Sequence, residues 1–306
     1  KKASGYDNIT NRLIKNFPEK AIKILVEILN SCLSIGYFPL DWKKGKIVAI
    51  PKPNKDLSIP GNYRPITLLP VLGKIFEKSI LSRLRESEED NQVLINQQFG
   101  FRSKHSTTQQ IMRITETIST RFNENKSTAL VTLDLEKAFD KVWHDGLVHK
   151  LKVAQFPTYL IKIVTSFLSD RKSFVSINGK NSHDFIIPAG VPQGSPLSPF
   201  LFTIFINDIP IPPHCKNAIF ADDTNLVSSI TNYELPKLVQ RMENGLKLIS
   251  DYFLSWKVKI NPSKTETILF THSRIMKTLS NSHRIEFDGN QLDWLKSARP
   301  KTYFQL

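Results

Sequence analysis

The chain has 306 residues, 40% of them hydrophobic and 10% aromatic, enough for one large or two modest globular domains with their own cores. Forty-two Lys and Arg against 28 Asp and Glu give a formal charge of +14, a field that draws a polyanion such as nucleic acid, although a merely basic soluble protein would carry the same charge. Cys32 and Cys215 are the only thiols and lie in no C-x-x-C or Cys/His pattern, although His214 adjoins Cys215; this argues against a disulfide framework or structural zinc and fits a reducing compartment. There is no signal-peptide pattern and no apolar run near the ~20 residues of a membrane span, so no membrane partner is expected. A chain that opens on Lys1 without Met reads as a piece of something longer.

In chain order, Ile22, Leu25, Ile28, Leu29 and Leu33 recur at helical spacing after Pro18, with Gly36 as a stop, and predict a core-facing helix. Ile47 to Ile50 reads as a short strand that runs into the basic, turn-rich PKPNKDLSIPGNYRP, expected to be a mobile loop. Val71 to Leu84 is an amphipathic helix pattern whose other face, with Lys74, Glu77, Lys78 and Arg83, reads as solvated. Thr128 to Leu135 is apolar and β-branched on both faces, a strand buried within a sheet that sets Asp134 near its end, with a helix-like stretch from Glu136. Lys172 to Ile177 and Asp184 to Ile187 read as strands, and Pro199 to Ile206 as an apolar helix. Asn217 to Ser229 reads as a hairpin with acids at its tip, Leu235 to Phe253 as a long amphipathic helix with Leu238, Met242, Leu246 and Leu248 among its apolar positions, and Thr265 to Phe270 as a strand.

Asp222 and Asp223 share the hairpin tip, and Asp134 ends a strand far upstream. An Asp pair in a turn is by itself an ordinary solvated tip. The wider string FADD is rarer, since an aromatic-small-Asp-Asp tetrad arises by chance in about one in a hundred chains this long. If the three acids meet, two like charges 4 Å apart cost roughly 4 kcal/mol near a protein surface, so they must protonate or hold a cation. Magnesium, which accepts one or two carboxylates and completes its shell with water and phosphate oxygens, fits that role.

The blocks GYDNI, IPKP, NYRPITLLPVLGKIFEK, QFGFRSKHSTTQQI, DLEKAFDKVWH, GVPQGSPLSPFLFTIFIND, FADD and NPSKTE, in this order from about Gly5 to Phe270, resemble the reverse transcriptases of non-LTR retrotransposons, the LINE or jockey-like group. The resemblance implies an α/β (α+β) right-hand polymerase fold, fingers and palm with an antiparallel palm sheet. It implies two Mg2+ ions, with Mn2+ a possible substitute, held by Asp134, Asp222 and Asp223 as the catalytic acids. It also implies that an RNA template, a DNA primer and deoxynucleoside triphosphates are the partners. In the same pattern Phe139 lies under the incoming sugar, where it would select deoxynucleotides, though plain core packing is the alternative for an aromatic residue. Gln193 sits near the incoming nucleotide, and Lys52 and Arg64 grip its triphosphate, the first as a point charge and the second as a fork. Lys264 falls near the phosphates or leaving group. Arg102, Lys104, Gly190 and Gly194 match template-side positions, with the glycines allowing close backbone approach. Ser195 is not read as a nucleophile, because G-S-P lacks the elbow pattern and no His partner is indicated.

Past Phe270 the resemblance thins: the Tyr-Leu-Gly block that forms the primer grip in the family is absent, and the sequence leaves the pattern at Pro300. The expected division is a helical extension over residues 1–36, a reverse transcriptase domain over 37–290 and a divergent tail over 291–306, with the thumb missing. Thumb and endonuclease regions are expected in a full-length polyprotein. The competing expectation is a catalytically inactive, truncated nucleic-acid-binding relic of such an element, which the +14 charge would equally serve.

Overall fold

The structure, a computed structural model, describes residues 3–295. Pro300 and most of the expected tail lie outside the described residues. The chain forms two compact units, each assembled from two stretches: Lys1–Val93 with Phe139–Phe205, and Leu94–Ala138 with Ile206–Leu306.

In the first unit the strands Gly45–Pro51 and Tyr63–Leu68 form an antiparallel hairpin. Gly45–Pro51 also pairs in parallel with Lys172–Ile177, against which the short strands Lys180–Asn181 and Phe185–Ile186 fold back. The loop between the first two strands, expected to be mobile, is tied to itself: Tyr63 donates its hydroxyl to Leu57 O at 2.9 Å, and the Asn62 amide donates to Asp56 O at 2.7 Å. Phe38, Phe76 and Phe167 form the centre of the core, with ring centroids 5.2 and 5.3 Å apart around Phe38; each is 1% exposed or less.

Three expectations fail in this part of the chain. The helix Glu19–Ile35 exists and stops at Gly36, whose φ of 71° lets its N–H return to the Cys32 and Leu33 carbonyls, but it does not face the core. Only Cys32 is buried, while Ile22, Val26 and Ile28 are nearly half exposed; an apolar pattern states what a helix could bury, not what covers it. The helix Val71–Asn91 has the expected position, yet Glu77 on its supposed solvated face is wholly buried, at 0% exposure. The helix expected from Glu136 is instead a single 3-10 turn, Ala138–Lys141, and helix resumes at His144–Val153.

The second unit holds a five-stranded sheet in the order Trp294–Leu295, Glu266–Phe270, Lys126–Leu133, Asp223–Thr231 and Cys215–Phe220. Every pairing is antiparallel except the outermost, Trp294–Leu295 with Glu266–Phe270. Lys126–Leu133 is the central strand, which explains why it is apolar on both faces. Its Ala129, Val131 and Leu133, none of them exposed, share a face with Leu226. The helix Leu235–Ser255 lies on that face through Met242, Leu246 and Ile249, packed closely enough that a Cβ added at Gly245 would come 2.9 Å from a Leu226 methyl. The opposite face carries a smaller cluster of Leu130, Val227 and Ile268. Asp134, continuing the alternation of Leu130 and Thr132, lies on that less covered face. Leu248, read as one of the helix's apolar positions, is 41% exposed.

Candidate active site

The acids sit at one end of this sheet. Leu133 pairs with Thr224 and Phe220 pairs with Asp223, so the register sets Asp134, one residue past its strand, beside the two-residue turn Ala221-Asp222. Ala221 takes φ 58°, the left-handed region favoured at the first position of such a turn and costing a non-glycine residue roughly 1 kcal/mol. The Asp222 carboxyl is pushed up first by burial and then by the negative charge of Asp134. Those two carboxylates therefore feel one another, and a cation between them would relieve both effects. Among the described residues, no group of three or more His, Cys, Asp or Glu side chains is arranged to enclose a metal ion by itself. An open pair suits magnesium, which takes few protein ligands and fills its shell from water and phosphate. Asp223 directs an oxygen, Oδ2, that is shielded from solvent.

What holds the strained turn is a residue that sequence reasoning missed. Gln98, 1% exposed, accepts on Oε1 from the Ala221 N–H at 3.1 Å and from the Gly100 N–H at 2.7 Å. The surrounding backbone pairs with the edge strand, Phe99 N to Ile219 O at 2.9 Å and Ile219 N to Gln97 O at 3.0 Å. Gly100 packs so closely that a Cβ there would fall 2.0 Å from Ala221 N. The block QFGFRSKHS thus buttresses the acidic turn through its first residues. Its template-side candidates are set otherwise: Arg102 turns back to donate to Ile95 O at 3.1 Å, while Lys104 is exposed. The only available signal was the pattern Gln-x-Gly beside an aromatic residue, which does not distinguish a buttress from a contact surface.

Lys264 stands with the acids. Its Nζ lies 3.3 Å from Asp134 Oδ2, with the lysine side chain 59% exposed and that of Asp134 26% exposed. The arrangement follows from local structure: Asn261 N–H donates to Asp134 O at 2.8 Å, and Asn261 Oδ1 accepts from Ser263 to cap the short turn that carries Lys264.

The remaining candidates belong to the first unit and form a group of their own. Phe139 stacks on Phe202 at 4.6 Å with 20° between the rings and is half-buried. Val191 N–H donates to Phe139 O at 2.8 Å, and the Gln193 amide donates to Asp140 Oδ1 at 3.0 Å, a partner not anticipated from sequence. Gly190 (φ 88°) lies against Asp140 and Gly194 (φ 125°) against Thr67 O, where added Cβ atoms would fall 2.7 and 2.4 Å away; no side chain fits either position. Lys52 is engaged, its Nζ donating to Gly61 O at 2.8 Å, whereas Arg64 is exposed on the facing strand, paired in register with Ile50. Ser195, 5% exposed, donates to Glu77 and accepts from Leu197 N–H at 3.0 Å, and no histidine is among its hydrogen-bond partners in the described residues.

Residues 50–294 match the family model described as reverse transcriptase (RNA-dependent DNA polymerase). The chain is similar to a probable RNA-directed DNA polymerase from transposon BS of Drosophila melanogaster, 36% identical over 308 residues that cover 98% of this chain and 33% of that protein. It is similar also to the RNA-directed DNA polymerase from mobile element jockey of the same species, 38% identical over 285 residues, 89% of this chain and 30% of that one. The chain therefore spans about a third of the length of these relatives. Among solved structures, apo telomerase from Candida tropicalis truncated from its C-terminal domain is similar with a TM-score of 0.53 at 13% identity, over 84% of this chain and 57% of that chain. At that identity the likeness is one of fold, and it bears out the palm-and-fingers architecture.

Proposed function

The chain belongs to the reverse transcriptase (RNA-dependent DNA polymerase) family, and from that premise we propose that it carries the catalytic portion of a mobile element's RNA-directed DNA polymerase, adding deoxynucleotides to a primer 3′-hydroxyl on an RNA template. The observation that supports this most is the sheet register, Leu133 with Thr224 and Phe220 with Asp223, which puts Asp134 beside the turn of Asp222 and Asp223.

The family's chemistry runs on divalent metal ions. Asp134, Asp222 and Asp223 would hold two magnesium ions, or manganese in their place, and the ions would supply activation of the attacking hydroxyl and charge neutralisation at the leaving pyrophosphate. Asp222, raised toward its neutral form by burial and by Asp134, is the acid that gains most from a bound cation. Lys264, exposed at 3.3 Å from Asp134, is proposed to turn to a phosphate oxygen, and the ion pair it would leave is a weak surface one. In the first unit, the accessible part of Phe139 would meet a nucleotide sugar, Gln193 fixed by Asp140 would present its remaining amide atoms to the nucleotide, and Arg64 would offer a fork to its phosphates, with Lys52 beside it once released from Gly61. Arg102, Lys104, Gly190 and Gly194 remain the proposed template-side positions. We place the polymerase domain at residues 37–290, flanked by 1–36 and 291–306, with thumb and endonuclease regions in the full-length polyprotein.

The test is primer extension on an RNA template by the full-length polyprotein. Asp222→Ala is expected to abolish incorporation while RNA binding persists; extension at the wild-type rate would remove these acids from the mechanism. RNA binding without extension by the unsubstituted protein would instead identify the nucleic-acid-binding relic.

A further inference from the structure

At the end of the palm strands remote from the acids, the second unit has a pocket of about 190 Å³. Its lining includes Arg121, Lys126, His214, Lys216 and Arg241 and no carboxylate. A second hollow of about 260 Å³ shares Thr117, Arg121 and Lys216 with it and has Glu116 as its one acid. Lys126 opens the strand that ends at Leu133, so at roughly 3.3 Å per residue the pocket lies about 25 Å from Asp134. A nucleotide at the acids cannot place its own phosphates there.

The cations are not equally committed. Glu124 receives both Arg121 Nη1 at 2.5 Å and Lys126 Nζ at 2.8 Å. Lys216, exposed near the start of its strand, has no acidic partner among the described residues, and the Arg241 guanidinium donates to the Ser229 carbonyl at 3.4 Å, with no carboxylate paired to it among those residues. Holding two uncompensated cations beside two paired ones is unfavourable unless an anion comes between them. The walls contain no Phe, Tyr or Trp, and Val227 is the only aliphatic lining residue. The flat surfaces available to a nucleobase are the His214 ring and the Arg121 and Arg241 guanidinium planes, so with four cations in the lining the recognition offered is chiefly of charge.

We propose that this pocket binds a phosphodiester of a nucleic-acid strand, at a site separate from the acidic turn. The proposal rests on the polymerase reading only in taking nucleic acid as the partner and makes no use of the acids. A contact of this kind would tether template or product some 25 Å from the chemistry without reading its sequence.

The experiment measures binding of the purified protein to single-stranded RNA and DNA of equal length across roughly 50 to 200 mM salt. Lys216→Ala/Arg241→Ala removes the two uncompensated cations. Lys247→Ala/Lys277→Ala, at exposed positions outside the pocket, removes the same charge elsewhere. The plot of log affinity against log salt is expected to become shallower by about 1.4 in the first variant, two phosphate contacts on a single strand, and to keep its wild-type slope in the second. The strand that shows the change identifies the ligand as RNA, DNA or either. Unchanged slopes with both strands, or an equal loss in the second variant, overturn the proposal. So does inorganic phosphate raising the melting temperature of wild type and not of the first variant while the nucleic-acid slopes stay the same, since that marks a free-anion pocket. Primer extension that fails while the slope change is present counts against the polymerase reading alone.

Discussion

Ser195 donates its hydroxyl to the carboxyl of Glu77, a side chain 118 positions earlier in sequence and with no exposure to solvent. The bond ties the Gly190–Ser195 loop to the helix Val71–Asn91, while Thr67 N–H holds the same loop through the Gln193 carbonyl at 2.7 Å. The second oxygen of Glu77, Oε1, is buried with no hydrogen-bond partner among the described residues, an arrangement suited to a protonated or half-protonated acid.

Burial raises the Glu77 carboxyl from 4.5 to about 7, against the lowering pull of Ser195, Arg171 and Lys74. The folded state thus holds this proton more tightly than the unfolded chain does. Its contribution to stability is fullest below about pH 4.5 and is lost as pH rises through 7, by up to about 3 kcal/mol. Melting temperatures of wild type and Glu77→Gln are therefore expected to diverge with rising pH, the variant gaining on the wild type between pH 5 and 8. Parallel curves would mean that Glu77 ionises no differently in the two states.

Gln98 satisfies the Ala221 and Gly100 amides from a buried position. Gln98→Ala leaves both without that acceptor, at a cost of about 1–3 kcal/mol each if water does not enter. A fall in melting temperature is expected together with a loss of incorporation beyond the loss of folded protein. If folded Gln98→Ala extends primers at the wild-type rate, the turn does not need its buttress. Gly100→Ala is expected to be the more damaging, because its Cβ cannot avoid the Ala221 backbone.

Lys264 competes with any cation for Asp134 Oδ2. An exposed pair of this kind contributes about 0.2–1 kcal/mol, so Lys264→Met should tighten magnesium binding by a factor of about 1.4 to 5, measurable by manganese competition. Its incorporation rate is expected to drop, since the same charge would serve the phosphates. Weaker metal binding in the variant would place Lys264 among groups that support the site rather than oppose the ion.

Phe139 is stacked on Phe202 and half-buried. Phe139→Val keeps an apolar side chain beside Phe202 and removes the ring proposed to lie under the nucleotide sugar. Selectivity for deoxynucleotides over ribonucleotides, read as the ratio of kcat/KM values, should fall roughly tenfold or more. An unchanged ratio would assign the ring to packing alone.

The helices Glu19–Ile35, Val71–Asn91, Ser198–Phe205 and Leu235–Ser255 and the strands Lys126–Leu133, Cys215–Phe220, Asp223–Thr231 and Glu266–Phe270 were legible because their periodicities are local. Thr128–Leu135 is apolar on both faces because it lies in the middle of its sheet, and the FADD hairpin showed in two short apolar runs around a polar tip. The helices Thr107–Asn123, His144–Val153 and Thr158–Leu168 and the hairpin Ile285–Phe287 with Asn290–Leu292 were not anticipated. In Thr107–Asn123 only Gln110 is buried, so the apolar stripe is thin, although its Ser106–Gln109 capping box was a readable start signal.

By itself the sequence determined the family, through ordered blocks, and the residue types on which the chemistry depends, because these are properties of identity and spacing along the chain. Tertiary structure alone decided that Glu77 is buried, that Gln98 and Gly100 hold the acidic turn, that Asp140 fixes Gln193, and that Lys126, Lys216 and Arg241 share a pocket. Each of these rests on a contact between residues far apart in sequence. Burial and charge compensation are set by what packs against a side chain, and no pattern along the chain records that.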